Sequence, residues 1–323
     1  MAMTAYFEAT GGPEVIRWRD NELPPPGPGE VRVRHIAVGL NHIDTYHRSG
    51  LYPVPMPSGL GSEAVGVVEA AGEGVELPPG TRVGTWGPKL GAYTTARNVK
   101  ADDLVRLPDA VDDETAAAVL LKGATAAFLV EDCARVQAGQ AVLVHAAAGG
   151  VGHLLVGWLK AVGATVIGVV GSATKVQAAH MAGADHVLRH DEDDIAARVR
   201  ALTGGEGVPV VLDGVGQATW AASLKSAARR GLVVSYGNAG GAVTGVELGV
   251  LARHGSLFVT RPTLFDYGAT PAARQALADR VFAMLARGAI RPDIGQRYLL
   301  ANAAEAHRAL EAGETRGSTV LLP

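Results

Sequence analysis

Ala141-Val142-Leu143-Val144-His145-Ala146-Ala147-Ala148-Gly149-Gly150-Val151-Gly152 carries an apolar strand pattern straight into a glycine-rich turn, and an apolar helical pattern (Leu154, Leu155, Trp158, Leu159) follows. A strand, a glycine turn and a helix in that order form the context of a dinucleotide-binding fingerprint. Glycines let the backbone approach a pyrophosphate, and the helix N-terminus meets its charge with unpaired N–H groups. The spacing is Ala147-x-Gly149-x-x-Gly152, with Ala147 in the first glycine slot and Gly150 and Val151 inside the turn. A second strand, Ala164–Val170, follows at the distance a βαβ unit requires.

Working outward from the turn, the chain downstream of about Asp112 alternates helical patterns with apolar runs. These are Ala141–His145, Thr165–Val170, Val208–Asp213, Leu232–Tyr236 and Ser256–Thr260. This alternation predicts a doubly wound parallel sheet, a Rossmann domain with helices on both faces. Upstream the reading is β-rich. Glu30–Val38 alternates around Val31, Val33 and His35, Ala64–Ala70 and Thr81–Trp86 read as strands, and Pro25–Gly29 and Pro78–Gly80 read as turns. Near Asp293 the alternation ends. Tyr298–Leu300 and Ser318–Leu322 read as strands around a helix, Ala301–Glu311, that returns to the first domain. The expected division is 1–122 with 293–323 for the β domain and 123–292 for the Rossmann domain. The acidic run Asp191–Asp194 reads as a solvated helix start.

Composition narrows the function classes. The 323 residues carry a net charge of −3, 48% hydrophobic and 5% aromatic residues. That balance offers no basic stripe for nucleic acid or an anionic membrane, and no apolar run is long enough to span one. A charged start followed by an apolar run is missing, so no signal peptide is expected. The single cysteine, Cys133, excludes an intramolecular disulfide, fits a reducing, cytoplasmic setting, and reads as an inert buried thiol.

The second strand also bears on which dinucleotide binds. NAD-preferring folds end this strand in a carboxylate that takes the ribose 2′-hydroxyl. Here the strand runs into Gly171-Ser172-Ala173-Thr174-Lys175, with two hydroxyls, an ammonium and no carboxylate. Arg189 and His190 follow the next strand and are placed to add positive charge. The expected cofactor is therefore NADPH.

The chain resembles the zinc-independent quinone oxidoreductases, the zeta-crystallin-like branch of the medium-chain dehydrogenase/reductase superfamily. The strings that carry the likeness run nearly end to end: Gly11–Val15, Gly39–Tyr46, Arg48–Pro53, Pro57–Ala64, Leu121–Thr125, His145–Gly152, Tyr236–Asn238, Gly241–Gly245 and Val259–Pro262. The resemblance implies a GroES-like β domain joined to the Rossmann domain. It also implies NADPH-dependent reduction of a quinone, as hydride or as single electrons, in a homodimer. Relatives that hold catalytic zinc use Cys, His and Cys. The matching slots here hold Asn41, Ser62 and Leu121, and no histidine pair has metal spacing, so no metal is expected.

Carried over residue by residue, the likeness places Asn41, His42 and Asp44 on the first-domain wall of the cofactor site. Thr125 and Phe128 fall where the cofactor crosses between domains, and Gly171, Ser172, Lys175 and His190 fall around the 2′-phosphate. Tyr236, Gly237, Asn238, Thr260, Arg261 and Pro262 lie at strand ends on the binding edge. His190 stands where relatives commonly have a tyrosine. Gly313 stands where they often have an arginine, with Arg316 three residues on. The Asn41 amide and the Tyr52 hydroxyl are the candidate donors to a reduced oxygen, and Tyr46 and Arg261 are candidate walls. The alternative is an enoyl or alkenal double-bond reductase, suggested by Gly50-Leu51-Tyr52 and using Tyr52 as proton donor. An RNA-binding or structural crystallin-like role belongs to another class and finds no basic or aromatic stripe to support it.

Overall fold

The computed structural model describes residues 1–323. The chain divides into two units. The first comprises Met1–Leu121, Gly268–Phe282 and Pro292–Pro323, and the second comprises Lys122–Tyr267 and Ala283–Arg291. Relative to the sequence reading, Gly268–Phe282 moves to the first unit. Arg274, on the helix Pro271–Ala286, is buried and donates to the Asp102 carbonyl, which ties this stretch to the β structure.

The first unit is built on a seven-stranded sheet, with a three-stranded sheet beside it whose strands lie side by side in the order Arg17–Asn21, Ala2–Phe7, Ser58–Gly59. Its longest strand, Glu30–Leu40, shows why the alternating stretch forms a sheet. Val31, Val33 and His35 point into the core, and from Ala37 to Leu40 both faces are covered. The C-terminal strand Ser318–Leu322 pairs antiparallel with it, Thr319 opposite Leu40 and Leu321 opposite Val38, so the end of the chain completes this sheet.

The second unit is a six-stranded parallel sheet in the order His186–Arg189, Thr165–Val170, Ala141–His145, Val208–Asp213, Ala227–Ser235, Phe258–Thr260. Its strands are near-continuous Val, Leu and Ile because helices cover both faces. The strand order reverses between Ala141–His145 and Val208–Asp213, and ligands bind at the carboxyl edge of such a reversal. The helix after the glycine turn, Gly150–Val162, buries Leu154, Leu155, Trp158 and Leu159, and ends at Gly163 in the left-handed region. Asp194 caps the helix Ile195–Leu202 by accepting from the Ala197 N–H. The strand read as Leu232–Tyr236 begins earlier, at Ala227, where the polar Arg229 and Arg230 hide it from a hydrophobicity pattern.

Candidate cofactor and acceptor sites

In the second unit the glycine turn is set by backbone. Ala146 takes φ +52°, a costly conformation for a residue with a Cβ, and its carbonyl accepts the Gly149 N–H at 2.8 Å. The Ala147 N–H donates to Val169 O at 3.0 Å, fastening the turn to the second strand. A Cβ on Gly152 would stand 2.1 Å from Ala146 O, so only glycine lets the helix start this close. Ala147 fits the first glycine slot because it is buried opposite Gly168, which lacks the Cβ that would stand 2.9 Å from the Cβ of Ala147.

Beyond Val170 and Gly171, the Ser172 and Thr174 hydroxyls lie 3.0 Å apart, and the Lys175 N–H donates to Ser172 O. Lys175 is half-buried, and burial pulls its ammonium below the usual lysine range. Such a group gains from an anion beside it. Arg189 differs from the sequence expectation. Its guanidinium pairs with Asp191 at 2.7 Å and Glu192 at 2.6 Å, so it brings no net positive charge. The His190 N–H donates to Val170 O, which holds that exposed ring beside the strand end. No carboxylate interrupts Val170–Lys175, and the turn and the ammonium fit a phosphorylated dinucleotide.

Across the reversal in strand order, Tyr236 N donates to Asp213 O at 2.8 Å. Gly237 sits so close to Gly214 that a Cβ on it would stand 2.2 Å from Gly214 O. Asn238 follows in the same loop, and its carbonyl accepts the Gly241 N–H. Arg261 donates to Ser235 O at 2.7 Å, holding Thr260, Arg261 and Pro262 at the end of the last strand. Thr125 is mostly buried. Phe128 is buried and stacks on Tyr267 at 4.4 Å, so it presents almost no surface of its own. Cys133 closes a π-helical segment, Phe128–Cys133, and burial pushes its thiol up.

In the first unit the candidate residues converge on the helix His42–Ser49. Asp44 is fully buried and accepts from Asn41 N at 3.0 Å, Ser62 Oγ at 2.9 Å and the Tyr93 hydroxyl at 3.2 Å. Glu63 is also fully buried and accepts from Asn41 Nδ2 at 2.9 Å and Leu121 N at 2.7 Å. Asn41 Nδ2 donates in addition to Gly39 O at 3.2 Å. Both flanking groups are acceptors, so the amide hydrogens of Asn41 are committed to the fold and the donor role falls away from it. The positions expected from zinc-holding relatives, Asn41, Ser62 and Leu121, are thus knit together by two carboxylates.

The C-terminal helix secures the other end. Tyr93 lies 3.0 Å from His307 Nε2, and Arg48 is buried and paired with Glu311. Burial holds His307 down to about 3, aided by the Arg48 and His42 charges. After the turn at Gly50, the Tyr52 N–H bonds to Tyr46 O at 3.0 Å, and its ring meets Tyr46 edge-on at 5.3 Å and His47 at 6.0 Å. His42 stacks on Tyr46 at 6.2 Å, extending this aromatic surface. Gly313 takes φ +68° beyond the last helix, and Arg316 is exposed, 3.8 Å from Asp293. Glu63, Tyr93 and His307 escape a sequence reading, and Ser62 is reached only as a zinc-ligand slot, because a buried polar network has no period or spacing.

Two family models match the chain, the alcohol dehydrogenase GroES-like domain over residues 27–109 and the zinc-binding dehydrogenase over 150–270. A quinone oxidoreductase of Pseudomonas aeruginosa is 51% identical over the full length of both chains. The solved structure of Escherichia coli quinone oxidoreductase complexed with NADPH superposes with a TM-score of 0.97 at 44% identity, covering 99% of this chain and 100% of that one. A 2-haloacrylate reductase of a Burkholderia species is 39% identical, over 100% of this chain and 99% of its own. No helix is long and apolar enough to cross a membrane. The chain belongs to the quinone oxidoreductases of the medium-chain dehydrogenase/reductase superfamily.

Proposed function

We propose that this protein is an NADPH-dependent quinone reductase that works without zinc. The observation that carries the reading is the cofactor edge of the second unit. A backbone cradle closed by Gly152 is joined to a carboxylate-free strand end with Ser172, Thr174 and Lys175. When bound, NADPH supplies the reducing electrons, as hydride or singly.

The chain's own residues bind, orient and exclude water. Gly149–Gly152 and the start of the helix Gly150–Val162 meet the pyrophosphate, and Lys175 with Ser172 meets the 2′-phosphate. In the first unit, Asp44 and Glu63 hold the helix that carries His42 and Tyr46, and Tyr46 and Tyr52 offer a flat aromatic wall to a flat acceptor. Both buried carboxylates accept hydrogen bonds from the fold itself, which gives them a holding role in this reading. A quinone suits such a site, because its reduced oxygens need only a neutral donor such as the Tyr52 hydroxyl. The single cysteine, with no second one to pair with, fits operation in a reducing, cytoplasmic setting.

The assembly we propose is a homodimer. The last strand, Phe258–Thr260, is a sheet edge with Phe258 59% exposed, and an apolar edge strand is stable when a second copy pairs with it. Light scattering on the purified protein tests this, and a monomer would refute it.

The 2-haloacrylate reductase kinship favours one second reading, reduction of an activated carbon–carbon double bond with Tyr52 as proton donor. One experiment separates the two. NADPH oxidation is followed with 1,4-benzoquinone and, in parallel, with a trans-2-alkenal, each corrected for its enzyme-free rate. Turnover favouring the quinone is expected. Turnover favouring the alkenal replaces the first reading with the second.

A further inference from the structure

His145 and Asp213 are the last residues of the two strands that flank the reversal in the parallel sheet. Both are buried, as is Ser223 on the helix Trp220–Ser226. The three form a chain, with Asp213 Oδ2 2.6 Å from Ser223 Oγ and Ser223 Oγ 3.0 Å from His145 Nε2.

Counting protons fixes the direction of each bond. Asp213 also accepts from Val215 N at 2.9 Å, Gly216 N at 3.0 Å and Thr219 Oγ1 at 2.8 Å, and Thr219 Oγ1 lies 2.8 Å from Oδ2 as well, so donors converge on both of its oxygens. The single proton of Ser223 therefore goes to Asp213, and Ser223 Oγ accepts from His145. His145 then carries its hydrogen on Nε2 and leaves Nδ1 as a bare lone pair, which is buried and without a partner. Burial keeps the imidazole neutral against the pull of the Asp213 charge. Neighbouring positions on these strands are Val and Leu, and an apolar pair would hold the sheet without the desolvation that this chain costs.

What the chain reaches explains its placement. Ala146, at φ +52°, follows His145 directly, and its carbonyl both accepts the Gly149 N–H and abuts Gly152. At the other end, Asp213 Oδ1 shapes the loop at Val215 and Gly216, and a Cβ on Gly216 would stand 3.2 Å from Gly237 O. One buried chain thus joins the glycine turn after one strand to the loop after its neighbour.

We infer that Asp213, Ser223 and His145 are positioning residues that lock the Ala146–Gly149 turn in its strained form and so set the affinity of the second unit for the cofactor's pyrophosphate. This inference rests on the cofactor reading above. Cutting the chain frees His145, lets Ala146 relax to negative φ and turns its carbonyl away from Gly149.

The test is Ser223→Ala, which removes one oxygen from a buried position and leaves Asp213 its three other donors. NADPH binding is measured by the fluorescence of the reduced nicotinamide, and binding of adenosine 2′-monophosphate, which has no pyrophosphate, by calorimetry. The expected result is about ten-fold weaker NADPH binding with adenosine 2′-monophosphate unchanged and kcat at saturating NADPH preserved. His145→Leu should behave like Ser223→Ala, whereas His145→Gln, which keeps an N–H donor near Nε2, should restore tight binding. Ser223→Ala binding NADPH as tightly as the wild type, or losing both ligands equally, would overturn the inference. A wild-type protein that binds neither ligand would instead overturn the cofactor reading beneath it.

Discussion

The second unit presents its site through backbone N–H groups, glycines and one ammonium, whereas the first unit fixes its site through side chains that never reach the surface. In the second, Gly152 and Ala146 O are in van der Waals contact, and the chain path itself is the binding surface. In the first, Asp44, Glu63, Tyr93 and His307 are all buried, and they act by holding the helix on which His42 and Tyr46 stand. The two designs fail differently. A backbone site fails when anything is added to it, and a side-chain network fails when anything is taken away.

Gly152→Ala should give the largest effect. The added Cβ meets Ala146 O at 2.1 Å and Ala147 Cα at 3.0 Å, both in the turn itself, so relief requires unmaking the cradle. NADPH affinity should fall at least about 100-fold, and the melting temperature should fall with it because the clash is between buried backbone atoms. Retained affinity would show that the turn tolerates a side chain and that the contrast between the units is false. In the first unit the counterpart is Asp44→Ala. It strands the Asn41 N–H and the Ser62 and Tyr93 hydroxyls in a dry interior, and should cost at least about 3 kcal/mol in chemical denaturation. The acceptor KM should rise in the same variant with adenosine 2′-monophosphate binding intact.

These two predictions also mark how far the sequence was legible. Strand and helix order in the second unit follows from unbroken Val, Leu and Ile runs, and Gly149, Gly152, Ser172 and Lys175 follow from spacing. A backbone-built site needs particular residues at fixed intervals. Asp44 could be named by family likeness, but its partners Ser62 and Tyr93 come from two loops, and Tyr93 in turn meets His307, 214 residues further on. The Asn41 donor reading failed for the same reason, because its committed hydrogens depend on Glu63, a residue with no local signature. Arg189 reads in the sequence as added positive charge, but its neighbours Asp191 and Glu192 hold it.

Acid should separate the units next. Burial holds His35 and His307 at about 3, with the charges of Arg97 and of Arg48 and His42 adding to it, against 6.5 for an exposed ring. The unfolded chain takes up protons that the fold refuses. This stability is therefore fully present above pH 6.5 and is lost as pH falls towards 3, at up to about 1.4 kcal/mol per pH unit for each ring. Denaturant midpoints at pH 7, 6, 5 and 4 should fall accordingly, and His307→Gln, which keeps a donor for Tyr93, should flatten the slope. A slope unchanged in that variant would remove His307 from the account.

Lys175→Ala tests whether the second unit distinguishes phosphorylated cofactors by a single cation. With Arg189 held by Asp191 and Glu192, Lys175 is the lysine that follows the second strand at this edge. KM for NADPH should rise about ten-fold and KM for NADH should not move. An equal change for both would assign the 2′-phosphate elsewhere.

The smallest effect belongs to one hydroxyl of the aromatic wall. Tyr52 is held by its backbone bond to Tyr46 O and by ring contacts with Tyr46 and His47, so Tyr52→Phe keeps the surface and removes only the hydroxyl. If the acceptor is a quinone, a neutral donor adds little, because its reduced oxygens are readily protonated from water. kcat should then fall by about three-fold with 1,4-benzoquinone. If the hydroxyl delivers the proton to a reduced double bond, the loss with a trans-2-alkenal should reach about 100-fold or more. Turnover unchanged with both acceptors would leave Tyr52 a packing residue. The first unit would then supply shape alone, and all the charge recognition would lie in the second.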